Sequence, residues 1–188
     1  MARAGITADR LTQAAAELAD EVGLENVTVS ALARHFGVKD ASLYSHIRNA
    51  QDLRLRLAVR SMAELTDCVA AEVGGRCGRD ALLAFGHAYR TYARTHPGRY
   101  AATQLALDPD VAADGAGRYS ELVRALLRGY DLWEPDQTDA VRLLHSTFHG
   151  YVSLERSGAF HSHPRGVEAS WLRALDALDV VLRAWPTA

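Results

Sequence analysis

Leu11, Ala15, Leu18 and Val22 recur at alternating four- and three-residue intervals, and Leu82, Phe85, Tyr89 and Tyr92 repeat the spacing farther along the chain. Such stripes put apolar side chains on one face of an α-helix. Tyr119, Leu122, Leu126 and Trp133 make a third stripe, Val141, Leu144, Phe148 and Val152 a fourth, and Trp171, Leu175, Leu178, Leu182 and Trp185 a fifth. Between them stand turn signals: Gly23, Gly37, Gly74-Gly75, His96-Pro97-Gly98, Asp108-Pro109, Asp114-Gly115-Ala116-Gly117, Glu134-Pro135 and His163-Pro164-Arg165-Gly166. Thr7, Asp80 and Asp136 precede periodic runs as N-caps, and Asn49 followed by Asp52 resembles a capping box. The pattern predicts nine helices, at about 7–22, 29–36, 40–46, 49–73, 80–95, 99–106, 117–131, 136–157 and 167–184. The β-like run Asn26-Val27-Thr28-Val29 is too isolated to make a sheet, so the expected fold is all-α.

A chain of 188 residues that is 48% hydrophobic and 23% charged buries a core without help from metal or disulfide. No stretch approaches the ~20 apolar residues of a membrane span. Met1-Ala2-Arg3 leads directly into a segment bearing Asp9, Glu17 and Asp20, with no signal-peptide core, and a cytoplasmic protein is expected. Cys68 and Cys77 are expected to be thiols. The net charge of −2 hides an asymmetry. Residues 26–60 carry Arg34, Lys39, Arg48, Arg54, Arg56 and Arg60 against only Asp40 and Asp52, a local +4 on an otherwise acidic body. That distribution suits a module that meets a polyanion.

The basic block contains two short predicted helices hinged at Gly37. A helix-turn-helix needs a small residue at the crossing, here Ala33, a glycine free to take positive φ, here Gly37, and apolar anchors, here Leu32, Val38 and Leu43. The second helix would then present Lys39, Ala41, Ser42, Tyr44 and His46 to a major groove. Thr28 caps the first helix, whose amide end suits a phosphate, and Arg48 adds a cation.

Thr28-Val29-Ser30-Ala31-Leu32-Ala33, Phe36-Gly37-Val38, Ser42-Leu43-Tyr44-Ser45-His46-Ile47 and Asp52-Leu53 together resemble the N-terminal domain of the tetracycline-repressor (TetR) family of transcriptional regulators. The resemblance covers residues 7–60 or so. It implies a nine-helix homodimer in which a three-helix DNA-binding domain, residues 1–48, precedes a helical effector-binding and dimerisation domain, residues 49–188. It places Lys39, Ser42, Tyr44 and His46 where the family contacts bases and phosphates. Ala50 stands where the family commonly has a phosphate-binding lysine, a role expected to pass to Arg48, and Asp40 adds a charge that phosphates repel. Phe148-His149-Gly150 resembles the Trp-His-Gly motif of one type of C-terminal regulator domain, with phenylalanine for tryptophan.

For the second domain the expected effector contacts are Phe85, Tyr89, Tyr92, Leu122, Leu126, Phe148 and His149, with His87, His145 and Arg90 as further polar groups able to orient a small molecule. The expected dimer surface is Leu144, Phe148, Val152, Trp171, Leu175, Leu178 and Leu182, apolar stripes that two copies would bury in a four-helix bundle. His145, His149, His161 and His163 have partial metal-ligand spacing, but no cysteine or glutamate is arranged beside them, so no metal or other cofactor is expected. No hydrolase elbow, phosphate loop, zinc-protease motif or dinucleotide fingerprint occurs, which argues against an enzyme. The function expected is a repressor released from operator DNA by a small-molecule effector. Metal-responsive and effector-independent DNA-binding regulators, and a helical adaptor that binds no DNA, are the alternatives.

Overall fold

The computed structural model describes residues 5–106 and 109–186, with side chains placed outside 109–116. Among the described residues the chain forms nine α-helices and no strand: α1 (Ala8–Val22), α2 (Val29–Phe36), α3 (Asp40–Leu43), α4 (Ala50–Val73), α5 (Gly78–Thr95), α6 (Pro97–Thr103), α7 (Pro109–Arg128), α8 (Asp136–Arg156) and α9 (Val167–Arg183), with a 3₁₀ turn at Leu24–Asn26. No helix among them is long and apolar enough to cross a membrane.

Two predicted caps form directly. The Thr7 hydroxyl accepts from the Arg10 amide at 3.2 Å, and that of Thr28 from the Ala31 amide at 3.1 Å. Two do not, because α5 starts earlier, at Gly78, and α8 is preceded by Pro135, leaving Asp80 and Asp136 in first turns where a carboxylate favours the helix dipole. Helix α7 also starts earlier than the Gly115/Gly117 signal suggests, with Pro109 as its first residue, the position where a missing N–H costs nothing.

The helices group into two compact units that do not follow the expected cut at residue 48. The first unit runs through α1, α2, α3 and α4 as far as Glu64, and takes in α6; the second comprises Leu65–Arg94 and the chain from Gly117 onward. The reason is the packing of α6 on α1. A Cβ on Gly98 would lie 1.9 Å from the Ala19 carbonyl oxygen, so only glycine lets the two backbones meet. Asp20, at the end of α1, accepts from the amides of Gly98 and Arg99, both at 2.9 Å, and so caps α6 from another helix. The same carboxylate lies 3.1 Å from the Arg99 guanidinium and 3.1 Å from the His96 ring. Ala102 of α6 is accordingly buried with Leu11, Ala15, Ala19, Leu32 and Leu43 in one core.

In the second unit the side chains expected to join two copies lie inside one. Leu144, Phe148, Val152, Trp171, Leu175, Leu178 and Leu182 are between 0 and 7% exposed. A residue with no water-accessible surface has none left to bury against a partner, and these stripes close the unit's own core. Phe148 stacks on Phe85 with centroids 5.6 Å apart and meets Tyr89 and Trp171, each at 5.7 Å. Gly86 of α5 lets α9 approach, for a Cβ there would lie 2.6 Å from a Leu175 methyl. The large apolar residues that α8 and α9 leave exposed are Leu154, Leu172, Val180 and Val181.

Candidate nucleic-acid interface

Helix α2 starts at the Thr28 cap and buries Val29, Leu32 and Ala33. Gly37 ends it in the left-handed conformation, φ +66°, with its N–H returning to the Ala33 and Arg34 carbonyls and the Val38 N–H to Ala33 at 3.0 Å. The Ser30 hydroxyl donates to the Asp40 carboxylate across the turn, tying the start of α2 to the start of α3. Asp40, expected only to repel phosphate, thus helps to orient the second helix.

Helix α3 is a single turn, shorter than the predicted 40–46. Beyond it the chain tightens: the His46 amide donates to Leu43 at 2.9 Å, and the Ser45 hydroxyl back-bonds to the Ser42 carbonyl at 2.8 Å. Both bonds span three residues, which favours a turn over continued α-helix. Leu43 and Ile47, 0 and 2% exposed, anchor the segment from beneath. Above them Lys39, Ala41, Ser42 and Tyr44 are exposed, Tyr44 by 52%, while His46 is half-buried. Thr28 and Arg48 are exposed at the flanks.

The start of α4 is fixed by Asn49 and Asp52. Asn49 Oδ1 accepts from the Asp52 amide at 2.8 Å, and Asp52 reaches back to the amide of Arg48, rather than Asn49, at 3.0 Å. The Arg48 amide, opposed by burial and helped by the Arg48 and Arg56 side chains, holds the Asp52 carboxyl below its ordinary range. The Arg48 guanidinium rests 3.1 Å from Asp52 yet is largely solvent-facing. A charge so placed keeps an outer face open to solvent.

The expected effector contacts divide. Phe85, Tyr89 and Phe148 come together as stacked core aromatics, Tyr92 and Leu126 are also buried, and Leu122 and His149 are half-buried. Arg90 is committed elsewhere. Its guanidinium donates to both oxygens of Glu155, at 2.7 and 2.8 Å, and to Glu168 at 2.6 Å, and lies 5.5 Å over the Trp171 ring. This linkage of α5, α8 and α9 was not legible in the sequence, since its members lie 65 and 78 residues apart. His145 and His149 stack in parallel with centroids 6.2 Å apart, and no group of three or more metal-ligand side chains occurs among the described residues.

Comparison with known proteins accords with this arrangement. Residues 11–57 match the family model of bacterial regulatory proteins of the tetR family, and residues 82–178 match the tetracyclin repressor-like C-terminal domain. An uncharacterized HTH-type transcriptional regulator of Bacillus subtilis, YobS, is 36% identical over 160 residues, covering 84% of this chain and 83% of its own. An uncharacterized HTH-type transcriptional regulator of Mycobacterium tuberculosis is 33% identical over 82% of this chain and 72% of its own. Among solved structures, a TetR regulator from Streptomyces coelicolor superposes with a TM-score of 0.74 at 19% identity, covering 96% of this chain and 99% of the other. A TetR variant from Acinetobacter baumannii in complex with minocycline gives a TM-score of 0.74 at 21% identity over 98% of this chain and 100% of the other. These matches and the helix-turn-helix geometry lead to one conclusion: the chain belongs to the TetR family, a DNA-binding transcriptional regulator and not an enzyme.

Proposed function

We infer that this regulator is a homodimeric repressor which grips operator DNA with Lys39, Ala41, Ser42, Tyr44 and His46 and leaves it when a small molecule binds the second unit. The observation that carries the reading is the exposed set around Tyr44, held on a buried Leu43–Ile47 base next to the +4 segment. Thr28 and Arg48 supply phosphate contacts at its edges. The dimer is supported by the apolar residues left open on α8 and α9, Leu154, Leu172, Val180 and Val181, which replace the buried stripe as the surface for a second copy. Two copies would set their α3 segments about 34 Å apart, one turn of duplex. An effector is supported by family membership and by the minocycline complex of the similarly folded Acinetobacter protein. It would act through differential affinity for two arrangements of the helices around it, with the long α4 as the lever.

Selection of bound sequences from random duplexes, followed by a screen of metabolites for release, tests the whole reading. A two-half-site sequence with salt-sensitive affinity and at least one releasing compound is expected; absence of salt-sensitive retention on any duplex overturns it. Release or capture by a chelator would instead identify a metal-responsive regulator, and indifference to every compound an effector-independent one.

Two substitutions address the interface. Tyr44→Ala should weaken operator binding by about 1–3 kcal/mol, or roughly 5- to 150-fold, without changing thermal stability, because the ring has no burial to lose on the scale of a core residue. Equal affinity of variant and parent in a gel-shift titration would remove Tyr44 from the contact set. Lys39→Ala should reduce the slope of log affinity against log salt by about one if its ammonium displaces a counterion from a phosphate. An unchanged slope would place Lys39 off the backbone.

A further inference from the structure

Where α8 gives way to α9, the chain forms a half-open pocket of about 230 Å³ lined by Tyr151, Ala159, Phe160, Ser162, His163, Arg165, Val167 and Ser170. It belongs to neither the DNA-facing surface nor the buried aromatic cluster of Phe85, Tyr89 and Phe148. At ~30 Å³ of liquid per water, the volume holds about eight water-sized groups, which suits a ligand below the drug-sized range.

Its floor is aromatic. The Tyr151 ring lies 4.9 Å from Phe160 and 4.8 Å from Trp171, and its hydroxyl donates to the Val167 carbonyl at 2.9 Å, so the platform is pinned in place. The polar rim contains Ser162, His163, Arg165 and Ser170, and no carboxylate. His163 Nδ1 accepts the Arg165 backbone N–H at 3.1 Å, which puts the proton of the neutral ring on Nε2 and leaves that nitrogen a donor. Arg165 has no ion-pair partner among the described residues. The acidic groups close to Tyr151 are Glu155 and Glu168, neither of which lines the cavity, and both are ion-paired with the buried Arg90. What remains on the rim is an uncompensated guanidinium with further donors above an apolar, aromatic floor.

We propose that this cavity between α8 and α9 is a binding site for a small amphipathic carboxylate, its ring or short chain on Tyr151 and Phe160 and its anionic end on Arg165 and His163. The apolar body supplies contact area, and the carboxylate supplies selectivity through charge-assisted hydrogen bonds to a planar guanidinium. The proposal does not depend on operator binding or on release by an effector.

The test is a calorimetric titration of the full-length protein with benzoate and phenylacetate, and with benzyl alcohol as an uncharged counterpart of similar size. Saturable binding of a carboxylate is expected, with the alcohol weaker by about tenfold or more. Arg165→Ala, at an exposed position whose loss does not threaten folding, should weaken carboxylate binding by a similar factor, and Ser170→Leu, which fills the cavity, should abolish it. Arg165→Lys should restore part of the affinity but not all, because a point charge replaces the two-pronged donor. Absence of saturable carboxylate binding, equal affinity for benzyl alcohol, or binding indifferent to Arg165→Ala would each overturn the proposal.

Discussion

Gly98→Ala is expected to destabilise the protein by about 3 kcal/mol or more, although alanine is the better helix former by ~1 kcal/mol. The new methyl would sit 1.9 Å from the Ala19 carbonyl oxygen and 2.6 Å from the Asp20 nitrogen, and these are backbone atoms that cannot swing aside. Relief requires α6 to withdraw from α1 by roughly 1.5 Å, since ordinary contact lies near 3.5 Å. That movement also stretches the 2.9 Å bonds from the Gly98 and Arg99 amides to Asp20. With about 2–4 °C of melting temperature per kcal/mol for a chain of this size, a fall of roughly 6–12 °C should appear in a thermal scan. Gly150→Ala is the matched control. It lies in α8 with nothing within 4 Å of the added Cβ, and there the propensity gain of up to ~1 kcal/mol should raise the melting temperature. Equal behaviour of the two variants would contradict the close α1–α6 approach.

Arg90→Met is the second large effect, with an expected loss of about 2–4 kcal/mol near neutral pH. Methionine fills much of the same volume, so the loss is electrostatic. Glu155, whose side chain is 15% exposed, would keep its charge without the guanidinium hydrogen-bonded to it, leaving only the weaker pull of Arg94 and His161. The parent protein supplies the sign of the pH dependence. Hydrogen bonds from Arg90 hold the Glu155 carboxyl below its ordinary value of 4.5, against the upward push of burial. A carboxyl whose folded pKa is depressed contributes stability that is complete above the unfolded pKa and fades as pH falls through the folded one. The gap between parent and variant should therefore be widest above about pH 5 and narrow steadily below 4.5, where protonation removes the unpaired charge from the variant and the ion pair from the parent. Denaturant titrations across that range would show it, and a gap independent of pH would mean that Arg90 acts by packing alone. Adding Glu155→Gln to Arg90→Met should recover part of the loss, because no charge is then left stranded.

The local parts of this architecture were legible in the sequence, while contacts between distant segments were not. Thr7, Thr28, Gly37 and the Asn49–Asp52 pair act on backbone groups within four residues, and each sits in the structure as its chemistry dictates. Ser45 shows the limit of that reading. Its side-chain bond to Ser42 favours a tight turn, and helical spacing alone carried α3 three residues too far. Periodicity identified Trp171, Leu175 and Phe148 as apolar-face residues, but a stripe has the same period whether it faces another helix of its own chain or a second copy. Gly98 was read as a turn signal because its partner, Ala19, is 79 residues away. Arg90 was expected to orient a ligand, since its two carboxylate partners lie in helices that only the fold brings near.

The return of α6 to the N-terminal unit also governs the order in which that unit can be completed. Until Pro97–Thr103 has been synthesised, Ala19 lacks the helix that packs directly on its backbone, so this end of α1 stays wet on the ribosome while α2 and α3 have already emerged. A fragment ended after residue 48 or 64 would keep the reading head but lose its lid. Recombinant work on the DNA-binding half should therefore carry the chain past Ala102, or graft a surrogate helix in its place.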